Sequence, residues 1–204
     1  MTLYLSIISA TLLILIGFNS LVATEIFATD AKILNGAILK SFFAIVFINM
    51  IIPIFFSILP KKWFGVDNKN FDVSNKERKF YEAIHIRRWK DKIWELGWLG
   101  GFSKRQIKEP HNIQYVEKFI VESNKGMVGH LLRIVFGFCI IGLFPQYLWN
   151  ICLPIVLVNM FLNLLPIMVL RYNLPKLKIL YTRLVRENAG INDQEQLITT
   201  ATNQ

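Results

Sequence analysis

Four long apolar stretches constrain this chain more than any other feature of its sequence. They run from Leu3 to Ala23, from Ser41 to Leu59, from Leu131 to Leu148 and from Ile151 to Leu170, and each is close to the roughly 20 residues that a membrane-spanning helix needs. Buried helices of a soluble protein are the alternative. The polar remainder of this 204-residue chain, which is 53% hydrophobic, is too short to enclose four such helices. The sequence therefore predicts an all-α polytopic membrane protein with about four transmembrane helices.

Polar residues inside the last two stretches indicate which faces pack together. Arg133 lies close enough to the start of the third stretch for its side chain to reach the lipid headgroups. Asn159 and Asn163 lie one helical turn apart, so their amides are predicted to share one face and to point into the helix bundle. The prolines of this region leave open a chain with three full spans, in which the last two stretches form a re-entrant hairpin.

The distribution of lysine and arginine predicts the orientation in the membrane, because basic residues resist translocation. The connection Thr24–Lys40 holds two of them, Lys61–His130 holds fifteen, the part of the chain from Arg171 onward holds five, and Pro145–Asn150 holds none. An even number of spans then places both termini and the long middle segment on the cytoplasmic side. The net charge of +9 is concentrated at that face, where anionic lipid headgroups attract it.

These assignments divide the chain into four parts. Residues 1–60 form a transmembrane hairpin, 61–130 a basic cytoplasmic and interfacial segment, 131–170 a second transmembrane hairpin, and 171–204 a basic cytoplasmic tail. Between Glu77 and Lys92 charged residues alternate with an apolar stripe, which predicts an amphipathic helix in the membrane interface. No nucleic-acid-binding motif accompanies the charge, so membrane lipids are its expected partners.

Candidate chemistry rests on polar side chains, since no generic catalytic, cofactor-binding or metal-ligand motif is present. His130 stands at the mouth of the third span, where partial burial would keep a neutral imidazole available as a base. Glu122 lies two helical turns earlier. If helix continues through Gly126, the two side chains share a face and the carboxylate can orient the imidazole. The alternative is that His130 binds a headgroup or a backbone carbonyl and takes no part in chemistry.

The other candidates are basic and polar residues of the middle segment and the tail. Guanidinium groups there can bind a phosphate or carboxylate through two hydrogen bonds. A solvated or headgroup-contacting face is the alternative for the middle segment, and a positive-inside anchor is the alternative after the fourth span. The residues are Arg87, Arg88, Lys90, Asp91, Lys104, Arg171, Tyr172 and Asn173.

Several sequence blocks occur in an order that resembles a known membrane family. The run Ile86–Lys92 is followed by Phe102-Ser103-Lys104, then by Glu117–Glu122 with His130 eight residues on, then by Asn163, Pro166 and the run Arg171–Leu177. In order and spacing these blocks resemble the glycosyl-4,4'-diaponeurosporenoate acyltransferase family. Its members are small bacterial membrane proteins assigned to the last step of staphyloxanthin-type carotenoid synthesis.

The resemblance implies an O-acyltransferase of the bacterial cytoplasmic membrane. Such an enzyme esterifies a fatty acyl group onto the sugar hydroxyl of a glycosylated carotenoid or similar glycolipid. His130 would then be the base and Glu122 would orient it, while Arg87–Asp91, Lys104 and Arg171–Asn173 would bind substrate. No bound cofactor is implied, and acyl-CoA or acyl carrier protein is the expected acyl donor.

Two departures from the family pattern keep other functions open. Lys125-Gly126-Met127 replaces a block that usually ends in glutamate, and Leu174 replaces an arginine. A non-enzymatic accessory or assembly subunit, with membrane-protein partners, is therefore the main alternative. A transporter or channel is a third, although the predicted spans offer almost no ionisable residues to line a pathway.

Overall fold

The computed structural model describes residues 2–23, 29–93 and 107–202, and these ranges contain helices and no β-strand. The α-helices are α1 (Thr2–Val22), α2 (Ala31–Ile58), α3 (Asn75–Ala83), α4 (Ile86–Trp89), α5 (Ile113–Gly137) and α6 (Leu153–Thr202). Short 3-10 turns at Phe138–Gly142 and Pro145–Tyr147 and a π-helical turn at Leu148–Cys152 join α5 to α6.

Among the described residues, four helical segments are long and apolar enough to cross a membrane, which confirms the predicted fold class. They are Tyr4–Val22, Ala31–Phe56, Ile113–Gly142 and Pro145–Gly190. The last two exceed the roughly 20 residues that a bilayer requires, because each continues an apolar helix into a basic one.

Helix boundaries differ from the sequence prediction at the start of α2 and within α5. Helix α2 begins at Ala31 rather than Ser41, where the Asp30 side chain accepts a hydrogen bond from the backbone N–H of Lys32 at 2.8 Å. Helix α5 passes through Gly126 without a break and unites the predicted amphipathic segment with the third span. A glycine inside a helix costs only about 1 kcal/mol relative to alanine, so flanking apolar residues can maintain the helix.

The predicted single helix from Glu77 to Lys92 is wrong. Helix α3 ends at Ala83, and α4 begins only after His85, which adopts the left-handed conformation with φ 51° and ψ 43°. The Trp89 indole N–H donates to the Ile84 carbonyl at 3.1 Å and closes the break. This turn leaves Ile86 fully buried, a gain that offsets the cost of the unusual backbone conformation.

The described residues form two compact units. The first holds the described parts of Met1–Leu59, Lys92–Trp94 and Met127–Met168. Its buried side chains include Leu15, Leu34, Ile38, Ile140, Ile151 and Val156. Large apolar side chains such as Leu13, Phe43 and Met50 are more than half exposed, as expected for helices whose outer faces contact lipid rather than water.

The second unit holds the described parts of Pro60–Asp91, Glu95–Gly126 and Val169–Gln204. Its buried residues include Phe64, Phe71, Tyr81, Ile86, Val116, Ile120, Tyr172 and Leu177. The buried Asn124 amide donates to the Phe64 carbonyl at 2.9 Å. The basic middle segment and the basic helix after the fourth span therefore share one packed core.

Candidate functional site

His130 lies on α5 within the first unit and contacts a polar group on α6. Its Nδ1 atom is 2.9 Å from the Asn163 Oδ1 atom and 3.2 Å from the Arg133 Nη1 atom. Asn159 and Asn163 are 5% and 7% exposed, which confirms the predicted inward face. Together with Asn49 on α2 they form what we call the asparagine cluster (Asn49, Asn159 and Asn163).

Backbone carbonyls fix how the amides of the asparagine cluster point. The Asn159 Nδ2 group donates to the Arg133 carbonyl at 3.0 Å, so its Oδ1 atom accepts from Asn49 and Asn163, each at 3.0 Å. The Asn163 Nδ2 group also donates to the Asn159 carbonyl at 2.9 Å. If the Asn163 amide were flipped, its oxygen would face the backbone and side-chain oxygens of Asn159, which are both acceptors. Oδ1 is therefore the atom that faces His130.

The orientation of Asn163 assigns the tautomer of the imidazole. An amide oxygen only accepts, so Nδ1 of His130 carries the hydrogen and donates it. In the neutral ring the basic lone pair is then on Nε2. The contact with Asn163 thus supplies what a general base needs, namely a fixed ring and a defined basic nitrogen.

Gly137, at the end of α5, allows α6 to approach closely enough for this network. A Cβ atom added at Gly137 would lie 2.5 Å from the Asn159 Nδ2 atom. Asn159 cannot move away cheaply, because its amide is held by hydrogen bonds on both of its polar atoms. Glycine is therefore required by packing at this position.

We expect Gly137→Ala to lower the free energy of unfolding by about 1 to 3 kcal/mol, the usual range for overpacking. Denaturation of the purified protein in detergent measures the change. Gly129→Ala on the same helix is the matched control, since no atom lies within 4 Å of its added Cβ. Equal stability of the two variants would contradict the role given to Gly137.

A second polar network lies in the second unit and consists of hydrogen bonds among Arg171, Glu77 and Tyr81. The Arg171 Nη2 atom donates to Glu77 Oε2 at 2.7 Å, its Nε atom to Glu77 Oε1, and Tyr81 Oη donates to the same carboxylate at 2.5 Å. The hydrogen bond from Arg171 holds the pKa of Glu77 below its usual range. Burial, with the adjacent Glu77 carboxylate, raises the pKa of Tyr81. Arg171 therefore forms an ion pair that ties α6 to α3.

Arg87 and Tyr172, two of the predicted site residues, are in direct contact. The Arg87 Nε atom donates to the Tyr172 Oη atom at 2.6 Å, which raises the pKa of the guanidinium. Lys176 lies over the Tyr172 ring with its Nζ atom 4.4 Å from the centroid. The structure thus brings together the two family-like blocks that contain Arg87 and Tyr172.

The remaining predicted residues have varied surroundings. Arg88 is exposed, and among the described residues its guanidinium has no hydrogen-bond or ion-pair partner; with Glu82, His85, Ile86 and Arg87 it lines an open surface depression. Lys90 pairs with Asp91 at 2.7 Å. Asn173 is half-buried, and Glu122 belongs to the second unit. Lys104 falls outside the described residues.

Comparison with known proteins decides the family. The model of the glycosyl-4,4'-diaponeurosporenoate acyltransferase family matches residues 60–183. The chain belongs to this family. No curated protein and no solved structure matches it. The matched range contains His130, Arg133, Gly137, Asn159 and Asn163 but begins after Asn49.

Membership of the glycosyl-4,4'-diaponeurosporenoate acyltransferase family indicates acyl transfer in carotenoid biosynthesis. The pairing of Glu122 with His130 stays a prediction. Within the first unit, Asn163 Oδ1 and Arg133 Nη1 both lie within hydrogen-bond distance of His130 Nδ1. Arg133 and Gly137 are not among the predicted site residues. Residues three apart on a helix are neighbours, so this spacing is a sequence signal that Arg133 lies beside His130.

Proposed function

We propose that this protein is a membrane-bound O-acyltransferase that esterifies a fatty acyl group onto a sugar hydroxyl of a glycosylated carotenoid or similar glycolipid. The observation that carries the proposal is the contact between His130 and Asn163. It holds an oriented imidazole on a helix long enough to cross a membrane, in a chain whose family consists of acyltransferases.

The chemistry requires a base because a sugar hydroxyl is a weak nucleophile at neutral pH. A positioned histidine that removes the hydroxyl proton during attack accelerates such reactions by about a hundredfold to ten thousandfold. In the proposed reaction His130 accepts that proton on Nε2, while Nδ1 remains bonded to Asn163. The apolar parts of both substrates would lie against the exposed apolar faces of the membrane-length helices.

The acyl donor is proposed to be acyl-CoA or acyl carrier protein. Both are anionic, and Arg88 is an exposed guanidinium beside Arg87 and His85 in the surface depression. Arg88 is a better candidate for the donor's phosphate than Arg171, whose guanidinium is bonded to Glu77. A water-soluble donor also requires the second unit to face the cytoplasm. We therefore propose that the protein lies in a bacterial cytoplasmic membrane with the second unit and both termini on the cytoplasmic side.

Comparison of lipid extracts tests this proposal in cells. Deletion of the gene should remove one acylated glycolipid and cause its unacylated glycosylated precursor to accumulate. Expression of the intact chain should restore the ester. Identical lipid profiles with and without the gene would contradict the proposed function.

A further inference from the structure

Arg133 lies on α5, within a segment that is apolar enough to cross a membrane. Among the described residues no carboxylate forms an ion pair with it, and its Nε atom is buried without a hydrogen-bond partner. Its Nη1 atom lies 3.2 Å from His130 Nδ1. Ionisable residues inside apolar spans are costly to maintain and usually mark functional sites.

The neighbouring histidine does not satisfy this guanidinium. Asn163 accepts the hydrogen of His130 Nδ1, so that nitrogen has no lone pair to offer Arg133. The three amide oxygens of the asparagine cluster face amide groups or the imidazole rather than Arg133. The Arg133 side chain is half-buried, and among the described residues no anion faces its guanidinium.

We infer that Arg133 is an anion-binding catalytic residue, and that the negatively charged oxygen it binds belongs to an amphiphile whose reacting group lies beside His130. The inference rests on the proposed function, which supplies the anion. As the sugar oxygen forms a bond to the acyl carbonyl carbon, its proton moves to His130 Nε2. The carbonyl π electrons move onto oxygen, and Arg133 donates hydrogen bonds to that oxyanion.

Collapse of this intermediate completes the transfer. The oxyanion re-forms the carbonyl, the bond between carbon and the sulfur of the thioester donor breaks, and the leaving thiolate takes the proton from His130. The arginine is neither consumed nor deprotonated in this sequence. Its contribution is largest when the charge on oxygen is greatest, so it acts on the transition state more than on the bound substrates.

Ligand binding provides a test that does not depend on turnover. The probe is dodecylphosphonate, a tetrahedral anion on an alkyl chain, and dodecanol is the neutral control. We expect Arg133→Gln to weaken binding of dodecylphosphonate to the purified protein at least tenfold and to leave dodecanol binding unchanged. Arg133→Lys keeps the positive charge but loses the planar guanidinium that can donate two parallel hydrogen bonds. Its affinity for dodecylphosphonate should lie between those of the wild type and Arg133→Gln. Unchanged dodecylphosphonate binding by Arg133→Gln would overturn the inference.

Folding of these variants can be verified independently. Because this half-buried cation forms no ion pair among the described residues, Arg133→Met should unfold at the same temperature as the wild type or higher. A fall in its unfolding temperature would mean that the guanidinium is structurally paired and would overturn the inference.

Kinetics separate this inference from the proposed function. Arg133→Gln should lower kcat by about a hundredfold to a thousandfold, with little change in KM for the acyl donor. Wild-type rates in Arg133→Gln would reject the inference and leave the proposed function intact. Arg133-dependent dodecylphosphonate binding by a wild-type protein that transfers no acyl group would support the anion site and reject the proposed reaction.

Discussion

Replacement of His130 by alanine is expected to lower the rate of acyl transfer by on the order of a hundredfold or more. In the proposed reaction the variant loses the group that accepts the proton of the sugar hydroxyl, while α5 is expected to retain its helical backbone. The measurement is turnover of a labelled acyl donor by purified protein in detergent or in membranes. Apparent affinity for the donor should change little, because the proposed role of the histidine is to act on the acceptor.

His111→Ala is the matched control for this experiment, since His111 is exposed and precedes α5. It should retain wild-type turnover. If His130→Ala also retained wild-type turnover, the histidine would have no place in the mechanism.

Replacement of Asn163 by leucine is expected to lower kcat by about tenfold to a hundredfold, as losses of partners that orient a histidine commonly do. Leucine cannot accept the Nδ1 hydrogen, so the ring loses both its fixed orientation and its single tautomer. Nitrogen chemical shifts of a labelled His130 ring report the tautomer directly. In the wild type the hydrogen should be on Nδ1, and in Asn163→Leu it should be distributed between both nitrogens.

Asn19→Leu controls for the loss of a buried amide. Asn19 is fully buried and accepts a hydrogen bond from the Asn150 side chain at 2.6 Å, in an amide pair that does not include His130. This variant should lose stability without a change in the His130 tautomer or in kcat of the remaining folded protein. A single Nδ1-H tautomer in Asn163→Leu would show that Asn163 does not orient the ring.

The sequence predicts the elements of this fold better than their ends. Hydrophobic length identifies the membrane-length helices, and a spacing of four residues correctly places Asn159 and Asn163 on a buried face. Helix ends are less predictable, since α5 continues from polar into apolar sequence through Gly126, where the sequence leaves a break open. The break at His85 depends on burying Ile86, a tertiary effect that hydrophobic periodicity does not contain.

The candidate site is only partly predictable for the same reason. His130 stands out because histidine is rare beside an apolar span, and the family resemblance indicates Asn163. Their contact depends on how α5 packs against α6. Asn49 is 110 residues from its partner Asn159, and Arg171 is 94 residues from Glu77. Local patterns carry no information about pairs this distant, so the sequence predicts a substrate-binding residue or a membrane anchor at Arg171 but not its ion pair with Glu77.

Acyl transfer by the purified chain alone tests the central claim most directly. The protein would be reconstituted in lipid vesicles with a labelled acyl thioester and either a glycosylated carotenoid or the same carotenoid without sugar. We predict a labelled ester with the glycosylated acceptor and none with the sugar-free one. Absence of any labelled ester with glycosylated carotenoid or glycolipid extracts, from a folded protein that co-purifies with a stable membrane partner, would contradict the claim and identify an accessory subunit instead.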